Sequence, residues 1–155
     1  MATLTSKIYE NITLNGNDLG AYTTYNIDNI NNIDNRTLVC TTGSWTSLFS
    51  FDPSLYPTNV GTFSTSSFQY GRVTNLSDVP VLINIQTIDR NTSTIYNAVS
   101  TITTGSSFIL SSTAGKNSGS FTPSATSFTF DQYIYNVQVA PSASTATIEY
   151  YIATT

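Results

Sequence analysis

In the stretch Ser144-Thr-Ala-Thr-Ile-Glu-Tyr-Tyr-Ile-Ala153, apolar and polar side chains alternate without a break. Ala146, Ile148, Tyr150 and Ile152 share one face, and Thr145, Thr147, Glu149 and Tyr151 share the other. Successive side chains of an extended chain point to opposite sides, so a period of two reads as a β-strand with one face buried. The adjacent Tyr150 and Tyr151 then face opposite ways, and one of these large rings lies away from the core. The same alternation runs through Val79-Pro-Val-Leu-Ile-Asn-Ile-Gln-Thr-Ile88, with Val81, Ile83 and Ile85 inward and Asn84 and Gln86 outward. Pro80 sits near its start, where a missing N–H is tolerated.

Working outward, further strands are expected over 67–75, 94–103, 106–112 and 127–140. In the last of these Phe128 and Phe130 have one parity, while Tyr133, Tyr135, Val137 and Val139 have the other. A bulge at Asp131-Gln132 would restore a single inward face. Gly, Pro, Asn, Asp and Ser punctuate the runs, as in Asn75-Leu-Ser-Asp78, Thr104-Gly105 and Ala140-Pro-Ser142. Helical periodicity is nearly absent. Seven or eight short strands at this spacing predict an all-β protein, an antiparallel β-sandwich with jelly-roll or other Greek-key connections, and the jelly roll is our choice.

The first third reads differently. Residues 1–35 are expected to form an irregular N-terminal arm, followed by a sandwich domain over residues 36–155. Asn15-Gly16 is a plausible hairpin turn, with one strand over 8–14. In Asn26-Ile-Asp-Asn-Ile-Asn-Asn-Ile-Asp-Asn35, Ile27, Ile30 and Ile33 recur every third residue, a period that suits neither a strand nor a long α-helix. Two readings stand side by side: a loop over the sandwich edge, and an arm packed on a neighbouring subunit. The segment from Trp45 to Thr65 carries Phe49, Phe51 and Tyr56, is interrupted by Pro53 and Pro57, and reads as a long aromatic connection. The candidate interface residues are therefore Ile27, Ile30, Ile33, Trp45, Phe49, Phe51, Tyr56 and Tyr151.

Composition narrows function by exclusion. The chain has 27 Thr, 21 Ser and 15 Asn among 155 residues, with 9% charged residues and no histidine. The five basic residues, Lys7, Arg36, Arg72, Arg90 and Lys116, are scattered, and the net charge is −4. No basic stripe exists to release counterions from a phosphate backbone or to hold an anionic membrane, so no nucleic-acid or membrane partner is expected. No apolar run approaches the ~20 residues of a membrane helix, and the N-terminus lacks a signal-sequence pattern; cytoplasmic synthesis is the expectation. Cys40 lies in an apolar strand pattern and reads as a small buried hydrophobe.

No catalytic, cofactor-binding or metal-binding residue is assigned. Nucleophilic triads need a base, and without histidine only Lys7 and Lys116 remain, neither in a Ser-x-x-Lys motif. Glycosidase chemistry needs two carboxylates, but Glu149 belongs to the polar face of its strand, and Asp18, Asp52, Asp78 and Asp89 look like turn residues. Zinc and copper want His or Cys clusters; Asp28 and Asp34 leave a structural calcium ion as a weak option. Phosphate-binding glycine loops are missing. The chain thus reads as a non-enzyme without a cofactor.

Gly71-Arg-Val-Thr-Asn-Leu-Ser-Asp-Val-Pro-Val-Leu-Ile-Asn84, the run Gly105-Ser-Ser-Phe-Ile-Leu110 and the terminal Ala146–Ala153 strand give the chain a familiar texture. Over residues 67–155 it resembles small β-sandwich virion proteins of tailed bacteriophages, the capsid decoration (cement) proteins and head-fibre bases. The resemblance lies in short strands, Thr/Ser/Asn-rich loops and few charges, and it transfers no site residue. It implies a jelly roll that trimerises on a capsid lattice, with extended arms reaching neighbours. The expected function is a structural virion protein located in the virion. Its expected partners are itself, as a homo-oligomer, and a major capsid protein or other virion protein. A receptor- or glycan-binding fibre or tail tip, a small capsid subunit and an adhesin subunit are the alternatives.

Overall fold

A computed structural model describes residues 2–51, 61–63, 68–89, 91–111, 116–121 and 128–155 of the chain. The described residues are all-β. In chain order the strands are β1 (Ala2–Glu10), β2 (Thr13–Leu14), β3 (Asn17–Asp18), β4 (Ala21–Ile30), β5 (Asn32–Cys40), β6 (Thr46–Ser50) and β7 (Gly61–Thr62). They continue as β8 (Phe68–Asn75), β9 (Val81–Asp89), β10 (Ile95–Ile102), β11 (Ser107–Ser111), β12 (Lys116–Phe121), β13 (Phe128–Pro141) and β14 (Ala146–Thr154).

One sheet has the order β11-β8-β14-β5 and the other β10-β9-β13-β6-β7, with β12 also paired to β13. All pairs are antiparallel except β6 with β7. Number β5, β6, β8, β9, β10, β11, β13 and β14 as eight successive strands. The first sheet then holds the sixth, third, eighth and first, and the second holds the fifth, fourth, seventh and second. That interleaving is the jelly roll, two Greek keys folded face to face.

The facing sides of the two sheets form the core. Val73, Ile148, Tyr150 and Ile152 on one sheet meet Val81, Ile83, Phe49, Val137 and Val139 on the other, all at 0–1% exposure. Aromatic rings fill the thickest part: Phe49 lies 5.8 Å from both Phe51 and Tyr150, and Phe51 lies 5.0 Å edge-on from Phe68. Gly71 on β8 leaves room for the Phe68 ring, because a β-carbon there would sit 3.1 Å from that ring. Asn75 closes the β8–β9 turn: its amide donates to the carbonyls of Val79 (2.8 Å) and Ile102 (3.1 Å), and its side-chain oxygen accepts from the Ser77 N–H at 3.0 Å.

Two bulges explain where alternation misled. The register shift in β13 falls between Ile134 and Asn136, not at Asp131-Gln132, so Tyr135 is the inserted residue. The β12–β13 ladder runs unbroken through Asp131 and Gln132, and the bulge lies where β13 leaves β12 and takes up β6. A second shift opposite Val137 and Gln138 makes Leu48 the extra residue of β6, so Leu48 and Phe49 both enter the core. Part of the expected aromatic connection is therefore the strand β6, whose alternation this bulge erases.

The N-terminal arm is regular. β1 pairs with β4 over their length, and β2 with β3 continues the hairpin to a two-residue turn at Asn15-Gly16, both at positive φ (51° and 79°). Neither face of this ribbon is buried along most of its length, and without a buried face nothing selects an alternating pattern. The boundary also moves: β5 pairs with β14 from Asn32 onward, so the ribbon ends at Ile30 and the sandwich starts at Asn32 rather than at residue 36.

Candidate interaction site

The ribbon is fastened at its base. Ile27 and Ile30, with Leu4, pack on Tyr70, Tyr151 and Ala153 of the outward side of the β11-β8-β14-β5 sheet. Their spacing of three comes from a bulge: Ala2 opposes Ile30 and Leu4 opposes Ile27, so two steps on β1 match three on β4. Asn29 takes the strain with φ 64°, a conformation asparagine tolerates better than most residues. The Thr3 hydroxyl donates to Asp28 at 2.8 Å across the same irregularity. At the joint, the Asn31 N–H donates to the Thr154 carbonyl at 2.9 Å, tying the ribbon root to the sheet.

Beyond this base the ribbon stands away from the sheet. A cleft of about 670 Å³ opens between β1 (Leu4 to Tyr9) and the outward side chains Asn35, Tyr70, Arg72, Ile109 and Tyr151. Ile8, Tyr9, Ile12, Leu14, Leu19 and Tyr22 are exposed, Tyr9 at 71%. Tyr9 and Tyr22, register partners, touch edge to face at 6.4 Å. Gly20 lets the strands close toward the tip, since a β-carbon there would lie 2.4 Å from the Glu10 carbonyl oxygen. The result is a narrow two-stranded arm carrying apolar side chains that the sandwich does not cover.

The expected interface residues divide sharply. Ile27 and Ile30 are buried within the chain and fasten the ribbon; Tyr151 is half-buried beside them, 6.2 Å from Tyr70. Ile33 is 51% exposed on β5 and Trp45 is 42% exposed at the β5–β6 turn. Phe49 and Phe51 are core residues, at 0% and 5% exposure, which corrects their assignment to a surface. The bulge at Leu48 hid their inward direction. Tyr56 lies outside the described residues. Tyr150 and Tyr151 do face opposite ways, the first into the core and the second outward. The ribbon's exposed residues were absent from the sequence-derived set. A usable signal existed, because Tyr9 mirrors Tyr22, and Ile12 mirrors Leu19, about Asn15-Gly16.

Trp45 borders a second, shallower recess of about 390 Å³ with Thr42, Gly43, Leu82, Ala140 and Pro141. The outward side of that same sheet carries a band of neutral amides. Asn97 on β10 accepts from Asn84 (2.9 Å) and Gln86 (3.0 Å) on β9, and Asn136 on β13 donates to Gln86 at 2.9 Å and to Ser47 on β6 at 3.3 Å. The ion pairs found among the described residues lie on the other sheet. Glu149 is ion-paired with Arg72 at 3.0 Å on the outward side of its sheet, as its place in the alternation implied. Asp34 accepts from Arg36 at 3.0 Å and from the Tyr150 hydroxyl at 3.2 Å. Burial, reinforced by the Asp34 charge, pushes the Tyr150 phenol up to about 12, and the hydrogen bond to Asp34 holds the Arg36 guanidinium above its usual range. Burial likewise pushes the Cys40 thiol up, partly countered by a hydrogen bond with Thr46.

Asp28 is bonded on the ribbon and Asp34 on β5, and no group of three or more His, Cys, Asp or Glu side chains able to hold a metal ion occurs among the described residues. No described helix is long and apolar enough to cross a membrane. Comparison with family models, curated proteins and solved structures found no match to the chain.

Proposed function

We propose that this chain is a structural virion protein, a capsid decoration protein of the tailed-phage kind that its sequence texture resembles. It binds a shell lattice and copies of itself as a symmetric oligomer. The observation that carries this reading is the apolar ribbon: a hairpin fastened at its root by Ile27 and Ile30, with Tyr9, Ile12, Leu14, Leu19 and Tyr22 left in solvent. Exposed apolar side chains gathered on one hairpin, with Tyr9 and Tyr22 in contact, favour an interaction site. A two-stranded arm fastened only at its root leaves these side chains available to a neighbouring subunit. The band of neutral amides on the outward side of the β10-β9-β13-β6 sheet supports the same reading, since packing of that band among like subunits brings no like charges together.

The test is binding of purified chain to phage heads, read by co-sedimentation and by mass spectrometry of washed particles. Retention of the intact chain, and its loss in Leu14→Lys/Leu19→Lys, is the expected outcome. Heads that retain neither form, or both equally, would sink the reading. A second reading rests on Trp45, whose half-exposed ring beside Pro141 and Leu82 is suited to stacking on a sugar ring. A glycan array showing a hit that disappears in Trp45→Ala would favour a receptor-binding fibre or tail-tip domain instead.

A further inference from the structure

β10 is an edge strand that is left open. It pairs with β9 through eight consecutive residues, Ile95-Tyr-Asn-Ala-Val-Ser-Thr-Ile102, without a bulge, and among the described residues no strand lies on its other side. It contains no charged residue, no proline and no glycine, and every residue but Ile102 is exposed. Edge strands are ordinarily blunted by charge, proline, bulges or shortness, because a long neutral edge is a template for another strand. The other sheet follows that rule. Its edge β5 carries Asp34 and Arg36, and its edge β11 has five residues.

The direction of β10's free hydrogen-bonding groups follows from its register. The Asp89 N–H donates to the Thr94 carbonyl at 3.0 Å, and Ile88 then pairs with Ile95 and Thr87 with Tyr96. In an antiparallel ladder hydrogen-bonded and non-hydrogen-bonded pairs alternate. The even-numbered residues of β10 therefore bond to β9, and Ile95, Asn97, Val99 and Thr101 point their N–H and C=O groups at the open edge.

We infer that β10 is a homotypic interface: it pairs antiparallel with β10 of a second copy about a two-fold axis at Ala98, joining two sandwiches through one continuous sheet. This is the self-pairing that satisfies all four open residues on both strands. Ile95 stands opposite Thr101 of the second copy and Asn97 opposite Val99, and each pair exchanges two backbone hydrogen bonds. Outward side chains meet outward side chains, as a continuous sheet demands. The neutrality of 95–102 means that the two-fold brings no like charges together, which selects a second copy over a charged partner strand. The exposed Val99 and Ile95 are covered, and the amide band ending at Asn97 continues across the junction. This interface stands independently of the virion reading, because it uses no residue of the ribbon.

The test uses the full chain with Ala98→Cys, which places two thiols at the two-fold in a non-hydrogen-bonded pair, where opposed side chains come closest. Cys40 is buried and does not compete. Mild oxidation is expected to convert Ala98→Cys to a species of twice 16.8 kDa on a non-reducing gel, while Val39→Cys, a thiol at a 71% exposed position on β5, stays monomeric. Val99→Pro removes one edge-facing N–H without breaking the ladder to β9; it is expected to halve the light-scattering mass and to stop cross-linking in the Ala98→Cys background. Equal cross-linking of Ala98→Cys and Val39→Cys, or an unchanged mass in a folded Val99→Pro, would overturn the inference. The cysteine contrast decides it without the proline variant. Charging the ribbon tip through Leu14→Lys/Leu19→Lys leaves this interface intact, so failure here and failure of head binding are separate results.

Discussion

Truncating Ile27 to alanine separates the ribbon from the sandwich energetically. Ile27 is 6% exposed, pairs with Leu4 across the ribbon, and rests on Tyr70 and Tyr151. Removing its outer carbons from a tight core would cost about 2–5 kcal/mol. Here the cluster is small and lies at the surface, where neighbours can settle into the space, so we take the low end, about 2 kcal/mol. Few other contacts hold the ribbon, and the loss therefore falls on local undocking of residues 2–30 rather than on global unfolding. At a tenfold change per about 1.4 kcal/mol, amide exchange in β1 and β4 should accelerate roughly 30-fold. Amides of Val137, Val139 and Ile148 should exchange at the parent rate, and the sandwich melting temperature should move by less than about 2 °C. Native-state hydrogen exchange read by NMR or mass spectrometry makes the measurement. Unchanged ribbon exchange would mean that Ile27 does not fasten it. A core that exchanges faster in step with the ribbon would mean that the two unfold as one unit. Either result refutes the reasoning.

Three further outcomes are expected. Gly71→Ala puts a β-carbon 3.1 and 3.2 Å from the Phe68 ring and should destabilise the sandwich by about 1–3 kcal/mol in urea titration, with much of the loss restored by Phe68→Leu. Tyr150 keeps its proton to about pH 12 when folded, whereas an unfolded tyrosine releases it near pH 10. The folded state thus holds more protons between these values, so its stabilisation is complete below about pH 10 and is lost as pH rises through about 12; Tyr150→Phe should flatten this part of the stability curve relative to the parent chain. Cys40 is 1% exposed with its thiol pKa raised by burial, so a thiol reagent should label it only as fast as the sandwich opens, and denaturant should bring labelling to completion.

Much of the fold was legible because burial imprints a period of two. Ala146–Thr154 and Val81–Asp89 are buried on one face, and their alternation located them to within two residues. Asn15-Gly16 was legible for another local reason, since both residues accept the positive φ of a two-residue turn. Legibility failed where a bulge broke the period. Leu48 and Phe49 both face inward, Tyr135 is inserted, and Ile27 and Ile30 sit three apart on one face because Asn29 is left-handed. It failed also where no face was buried, which is why β1 and β4 looked irregular. The candidate site was harder still. Phe49 and Trp45 are both aromatic residues of one short segment, yet one is sealed in the core and the other is 42% exposed.

Local covalent preference and strand periodicity settled the all-β class, most strand positions and the turn chemistry, because each depends on neighbours a few residues away. Which strands became edges, which large side chains stayed uncovered, and where the ribbon is fastened depended on contacts between residues far apart in the chain. Asn32 meets Thr154, Tyr70 meets Tyr151, and β10 is the last strand of its sheet among the described residues. Those are properties of the assembled sheets. A strand's composition is the same in the middle of a sheet as at its margin, and only the packed structure decides whether its outer hydrogen-bonding groups meet protein or solvent.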